Sequence, residues 1–197
     1  MDAFPAIQRG LELALLKYLT AGFTTAASHR ATMDQEHYWN DICEHLCPGD
    51  DSLRQDVKLS IENPQSYLEK FDDALWERGI EEPSFVRPWL ALVDGLISRG
   101  YACEMDWKLD PNELAFQLEK LHPCKSRNIQ LSSLRNSTEV GAQILLIAAK
   151  ELRNHSLELL FLEIDGDCYP LSVVPSAKTA EVLSLSQLLK QNAAIYP

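Results

Sequence analysis

The run from Leu157 to Val174, LELLFLEIDGDCYPLSVV, constrains the fold more than any other stretch of the chain. In an extended backbone Leu157, Leu159 and Phe161 fall on one face and Leu160, Leu162 and Ile164 on the other. Both faces are apolar, which predicts a central strand covered on both sides. Asp165-Gly166-Asp167 interrupts the run, and Gly166 is expected to supply the positive φ of a tight hairpin turn. The return strand, Cys168 to Val174, carries Pro170. Proline cannot donate to a ladder, so this strand is expected at an edge or with a bulge.

The chain before the hairpin is mostly helical in pattern. Leu11, Leu15, Leu16 and Leu19 predict an amphipathic helix from Ile7 to Leu19, and Phe23 to Arg30 reads as a loop. Further helices are predicted from about Asp34 to Leu46, from Leu53 to Ile61, and from Pro64 through Trp76 to a stop at Gly79. Pro83 is expected to open the next helix, with Phe85, Trp89, Leu92, Val93, Leu96 and Ile97 at helical spacing. Tyr101 to Lys108 switches to period two and predicts a half-buried strand. A short helix with Leu114, Leu118 and Leu121 on one side follows. A longer one, capped by Ser137 or Thr138, leads to the hairpin, and a last helix follows Pro175-Ser176.

This order predicts an α+β fold, with a small, mostly antiparallel three-stranded sheet covered by helices. Residues 1–80 are expected to form a helical N-terminal part packed on the rest, and 81–197 the α+β domain.

Charge narrows the function classes. Eighteen Lys and Arg against 29 Asp and Glu leave a net charge of -11. That argues against non-specific binding to nucleic acid or to anionic lipid, both of which need a basic surface. A basic protein partner suits it. No apolar run approaches the roughly 20 residues of a membrane span. The cysteines, Cys43, Cys47, Cys103, Cys124 and Cys168, are odd in number and irregular in spacing, and MDAFPAIQRG lacks a basic leader region. Reduced thiols and a cytoplasmic location are expected.

Two groups of residues attract attention as sites. HYWNDICEHLC, His37 to Cys47, holds two histidines and two cysteines, the raw material of a zinc site. On a helix Cys43 and Cys47 share a stripe with Trp39, Ile42 and Leu46, whereas His45 lies roughly opposite. One helix cannot bring all three to one metal, so the two thiols are read as packed core residues and no cofactor or metal is expected. His37, Asp41 and Glu44 form a second stripe, read as a solvated face. In the second group Glu104 and Asp106 share one strand face, where paired carboxylates for acid-base work are possible. Asp165 and Asp167 at the turn are further candidates, although turn chemistry alone accounts for Asp-Gly-Asp. No serine sits in a G-x-S-x-G elbow, and no glycine-rich phosphate loop exists among the eight glycines.

Trp89 to Leu121 resembles a family of uncharacterised bacterial domains, in which a tryptophan-bearing helix leads to a strand ending in Asp-Trp-Lys and then to a short leucine-rich helix. Asp106-Trp107-Lys108 carries the closest match, and Leu159 to Val174 is similar to that family's closing hairpin. The resemblance implies a bacterial cytosolic α+β domain and no activity or functional residues.

The expected function is a non-catalytic, acidic protein-interaction domain with Trp76, Trp89 and Trp107 available for an interface. An immunity-like protein masking a basic toxin is one version. The alternative is a hydrolase or metal-dependent enzyme using carboxylates near Asp106, and a homo-oligomer formed through the helical N-terminal part is a third possibility.

Overall fold

The computed structural model describes residues 35–196 except 107 and 140. The chain divides into two units, Met1–His37 and Tyr38–Pro197. The helix expected over Ile7 to Leu19 and the loop over Phe23 to Arg30 lie outside the described residues, as does Trp107.

Helix α1 (35–46) ends at the turn Cys47-Pro48-Gly49. Helix α2 (Asp51–Glu62) follows at once because Asp50 caps it: the carboxylate accepts from the Leu53 amide at 2.8 Å. The helix expected from Pro64 to Trp76 is two pieces, α3 (Pro64–Lys70) and α4 (Asp72–Glu77), broken at Phe71. A 3₁₀ turn spans Pro83–Phe85, and α5 (Pro88–Ser98) starts at the second proline rather than the first. Proline disfavours helical backbone in the residue before it, so Arg87 is extended and one helix cannot run through both prolines. The strand β1 (Ala102–Asp106) leads to α6 (Pro111–Lys120), capped by Asp110, and to the short helices α7 (His122–Lys125) and α8 (Ser132–Arg135).

Helix α9 (Ala142–Arg153) begins after Gly141 at φ +62°, with no side-chain cap. The cap expected from Ser137 or Thr138 does not form. The Ser137 hydroxyl instead accepts from the Glu139 amide, before the helix starts. The hairpin strands β2 (Leu157–Leu162) and β3 (Cys168–Pro175), helix α10 (Ser176–Leu188) and strand β4 (Ala193–Ile195) complete the chain.

The fold is α+β, with one antiparallel sheet in the order β1-β3-β2-β4. It has four strands, not the three expected. β2 is central, as its two apolar faces predicted, but β3 is central too. Pro170 pairs with Glu104 on the β1 side and lies beyond the last β2 partner, Leu171 opposite Phe161. The proline therefore sits where β2 requires no ladder bond, and an interior strand tolerates it. The turn also differs from expectation. The loop joining β2 to β3 runs over 163–167, and Asp165 rather than Gly166 takes the positive φ, at +58°. Aspartate tolerates that region better than most residues because its short carboxylate bonds locally.

The strand alternation divides the core in two. Cys103, Met105, Leu157, Leu159, Leu171 and Val173 face a cluster built with α6, α8 and α9, including Leu114, Leu118, Leu134, Ile144 and Leu145. Ala102, Leu160, Leu162 and Val174 face the other way, onto Ile42, Leu53, Trp89, Leu92, Leu96 and Val182 from α1, α2, α5 and α10. A sheet buried on both faces needs helices on both, and this order of elements supplies them.

Candidate functional site

The β2–β3 loop, the end of α4, the 83–87 segment and β1 enclose a cleft of about 740 Å³. Three local features shape it. Gly79, at φ +71°, follows the C-cap Arg78 and ends α4 at the cleft. The Trp89 indole, buried on α5, donates to the Glu163 carbonyl at 2.7 Å and fixes the start of the loop. Asp106 pairs with Cys168 in the β1–β3 register, which seats the loop beside the end of β1.

Five carboxylates line the cleft, Glu77, Glu104, Glu163, Asp165 and Asp167, against two arginines, Arg78 and Arg87. Both arginines are already engaged. Arg87 meets Asp165 at 2.8 Å in an exposed pair. Arg78 is held at 2.5 Å from Asp94 and 2.7 Å from Glu104. Glu77 and Asp167 make no ion pair among the described residues, and Glu163 accepts from the Asp165 amide. Phe85, 58% exposed, lines the same cleft, and Trp76 on α4 is 67% exposed.

Electrostatics at the inner wall centre on Arg78. Burial alone would pull its pKa down, but the bonds from Glu104 and Asp94 outweigh this and the net direction is up. Burial likewise pushes Glu104 up, yet the Arg78 bond, the Cys168 thiol that donates to it and the Arg78 charge together hold it below the usual carboxylate range. Asp94 goes the other way: burial raises it, and Arg78 offsets only part. The Cys168 thiol is pushed to about 12, first by burial and then by Glu104.

The structure brings three of the four carboxylate candidates, Glu104, Asp165 and Asp167, to one cleft. Asp106 does not line it: the side chain is exposed and accepts from the Lys108 amide at 2.9 Å, a turn role. Sequence reasoning missed Arg78, Trp89 as an anchor of the loop, and Cys168 as a partner of Glu104. Arg78 joins residues 16 and 26 positions away, and no local pattern announces such a bridge.

The metal candidates sit elsewhere. Cys43 and Cys47 are buried in the core beside Trp39, Ile42 and Leu46. Burial pushes their thiols to about 12 and about 11, which disfavours the thiolate that a metal needs. Among the described residues no three His, Cys, Asp or Glu side chains group closely enough to hold a metal ion. Of the outer stripe, Glu44 is engaged by Arg54 at 2.6 Å and by the Gly49 amide at 3.1 Å. No helix among the described residues is long and apolar enough to cross a membrane.

The fold and the cleft define an α+β domain with an acidic recess at the hairpin end of its sheet. Residues 38–196 match the sequence model of a family described as a domain of unknown function (DUF6630), and the chain belongs to that family. No curated protein and no solved structure matches it.

Proposed function

We propose that the chain is a cytoplasmic, non-catalytic interaction domain of bacterial type, whose acidic cleft receives a basic segment of a partner protein. An immunity-like role, masking the cationic surface of a toxin, is the concrete form of this reading. The observation that carries it is the imbalance within the cleft: five carboxylates face two arginines that are both spent in internal pairs. A guanidinium or ammonium group entering there meets Glu77, Glu163 and Asp167, while Phe85 offers an aromatic face. The net charge of -11 favours the same encounter at longer range.

The test is binding of an oligo-arginine peptide to the full chain at low and moderate salt. Replacing Glu163 with Gln and Asp167 with Asn together is expected to weaken binding about tenfold or more. Neutralising Glu62 and Glu69, exposed acids on α2 and α3 outside the cleft, should change it far less. Equal losses from both pairs would reduce the cleft to a share of the general acidic surface and defeat the proposal.

A second reading, acid-base hydrolysis, draws on the meeting of Glu104, Asp165 and Asp167 in one cleft. Against it, Glu104 is held ionised by Arg78, whereas a general acid must keep its proton near neutral pH. A hydrolytic activity abolished by Glu104→Gln with the fold intact would favour it.

A further inference from the structure

A second cavity, of about 370 Å³, lies between the end of α1, the β1 entry, α7 and the β3–α10 junction, and its charge is opposite to that of the acidic cleft. His45, His122, Arg127 and Lys178 line it, with Glu44 as the one carboxylate. Glu44 is already engaged, since its Oε2 accepts from Arg54, which also holds Asp51, and from the Gly49 amide. In a chain with eleven more acids than bases, such a concentration of basic groups on one cavity is specific.

The basic groups are braced. Arg127 Nη1 donates to the His155 carbonyl at 2.8 Å, which fixes the guanidinium and uses one of its five N–H donors. Lys178 and His45 both lie near Glu181, at 3.4 and 3.3 Å. Glu181 is 55% exposed and outside the cavity lining, so these are weak surface pairs that a better-placed anion can replace.

One wall carries an aromatic stack. The Tyr101 and His122 rings stack at 4.9 Å and only 2° from parallel. Hydrogen bonds hold both ends of this wall: the His122 amide donates to the Gly100 carbonyl, and the Ser172 hydroxyl donates to the Tyr101 carbonyl. Leu46, Pro48, Val174 and Pro175 supply apolar surface. The start of α10 meets the cavity at Pro175 and Lys178, with no side-chain cap and no acid in its first turn, so its positive end adds to the same field.

We propose that this cavity binds a small phosphate monoester, with the phosphate held by Arg127 and Lys178 beside the two imidazoles and a compact organic group lying along the Tyr101–His122 wall. A dianion suits the paired cations Arg127 and Lys178, and the guanidinium fork matches phosphate oxygens. The apolar lining accounts for an organic group over bare phosphate.

The test is titration of the full chain with inorganic phosphate, phenyl phosphate and acetate, read by the ring signals of His45 and His122 in NMR and by calorimetry. Both phosphates should move these signals, phenyl phosphate should bind at least about fivefold tighter, and acetate should bind negligibly. The double variant Arg127→Gln, Lys178→Gln should lose about tenfold or more in phosphate affinity at an unchanged melting temperature. Arg87→Gln, in the acidic cleft, should lose none. Silent histidine signals, equal binding of acetate, or an unchanged affinity in the double variant would overturn the proposal. A phosphotyrosyl peptide binding more tightly than phenyl phosphate would overturn the small-molecule assignment.

Discussion

Arg78 and Glu104 meet at 2.7 Å across 26 positions of chain, and the same guanidinium holds Asp94 at 2.5 Å. One side chain thus ties the end of α4 to α5 and to β1 at the inner wall of the acidic cleft. All three side chains are between 20% and 28% exposed, so removing the cation leaves two poorly solvated carboxylates facing each other. Arg78→Met is expected to lower stability by about 2–4 kcal/mol, below the full cost of breaking a dry pair because water still reaches this one. Urea unfolding measures it. Combining Arg78→Met with Glu104→Gln should cost less than the sum of the two single changes, because the second substitution removes one of the stranded charges.

Acidification should unfold the domain from below the ordinary glutamate value. Burial pushes Glu119 up, but Arg135 and the Leu131 amide outweigh it and hold its pKa below 4.5. Glu104 is held below 4.5 in the same way. Asp50 is held below 3.8 by Ser52 and by the Leu53 amide that it caps. Carboxylates depressed in the folded state contribute stability that is complete above their unfolded values and is lost as pH falls through the folded ones. Asp94, which is raised, acts in the opposite sense and offsets part of the loss. The expected profile is flat near neutrality and falls from about pH 4.5 downward. In Glu119→Gln the fall should be shallower and the neutral-pH stability lower, as thermal melts across pH would show. Equal slopes in the two proteins would remove Glu119 from this account.

What the sequence made legible follows the range of each interaction. Period two across Leu157 to Leu162 placed β2 between two cores, because alternation is a local property that the sheet preserves. Period two also found β1. β4 escaped because Ala193–Ile195 is three residues long and mostly exposed, with no alternating run to betray it. β3 was misplaced to an edge because the proline rule is positional, and whether Pro170 needs a ladder bond depends on where β2 ends. At the acidic cleft the turn acids were visible as residues, and their meeting with Glu104 was not. That meeting rests on a register, Asp106 opposite Cys168, which no local pattern encodes.

Gly95 marks a close approach of two helices. A Cβ built there would sit 2.4 Å from Leu53 Cδ1, and Leu53 is fully buried between α2 and α5. Alanine ordinarily stabilises a helix interior by about 1 kcal/mol over glycine. Here the Leu53 methyl would have to shift within a buried core, so Gly95→Ala should destabilise by about 1–3 kcal/mol despite that gain. Paired with Leu53→Ala, the penalty of Gly95→Ala should shrink or change sign, which a double-mutant cycle in urea detects. An independent, additive pair would mean that the helices can part without cost.

Thiol reactivity separates Cys168 from the other cysteines. Cys43, Cys47, Cys103 and Cys124 are buried, whereas Cys168 is half-buried beside the acidic cleft. With an aromatic disulfide reagent at pH 8, one thiol should react before global unfolding, and Cys168→Ser should abolish that phase. Its rate should still be slow. Burial and the Glu104 carboxylate raise the thiol from 9.0 to about 12, which lowers the thiolate population about a thousandfold. Glu104→Gln removes the charge that opposes ionisation and leaves burial in place, so it should speed the reaction roughly tenfold without reaching the rate of a free thiol. An unchanged rate in Glu104→Gln would mean that access alone limits Cys168 and that the contact with Glu104 has no chemical consequence.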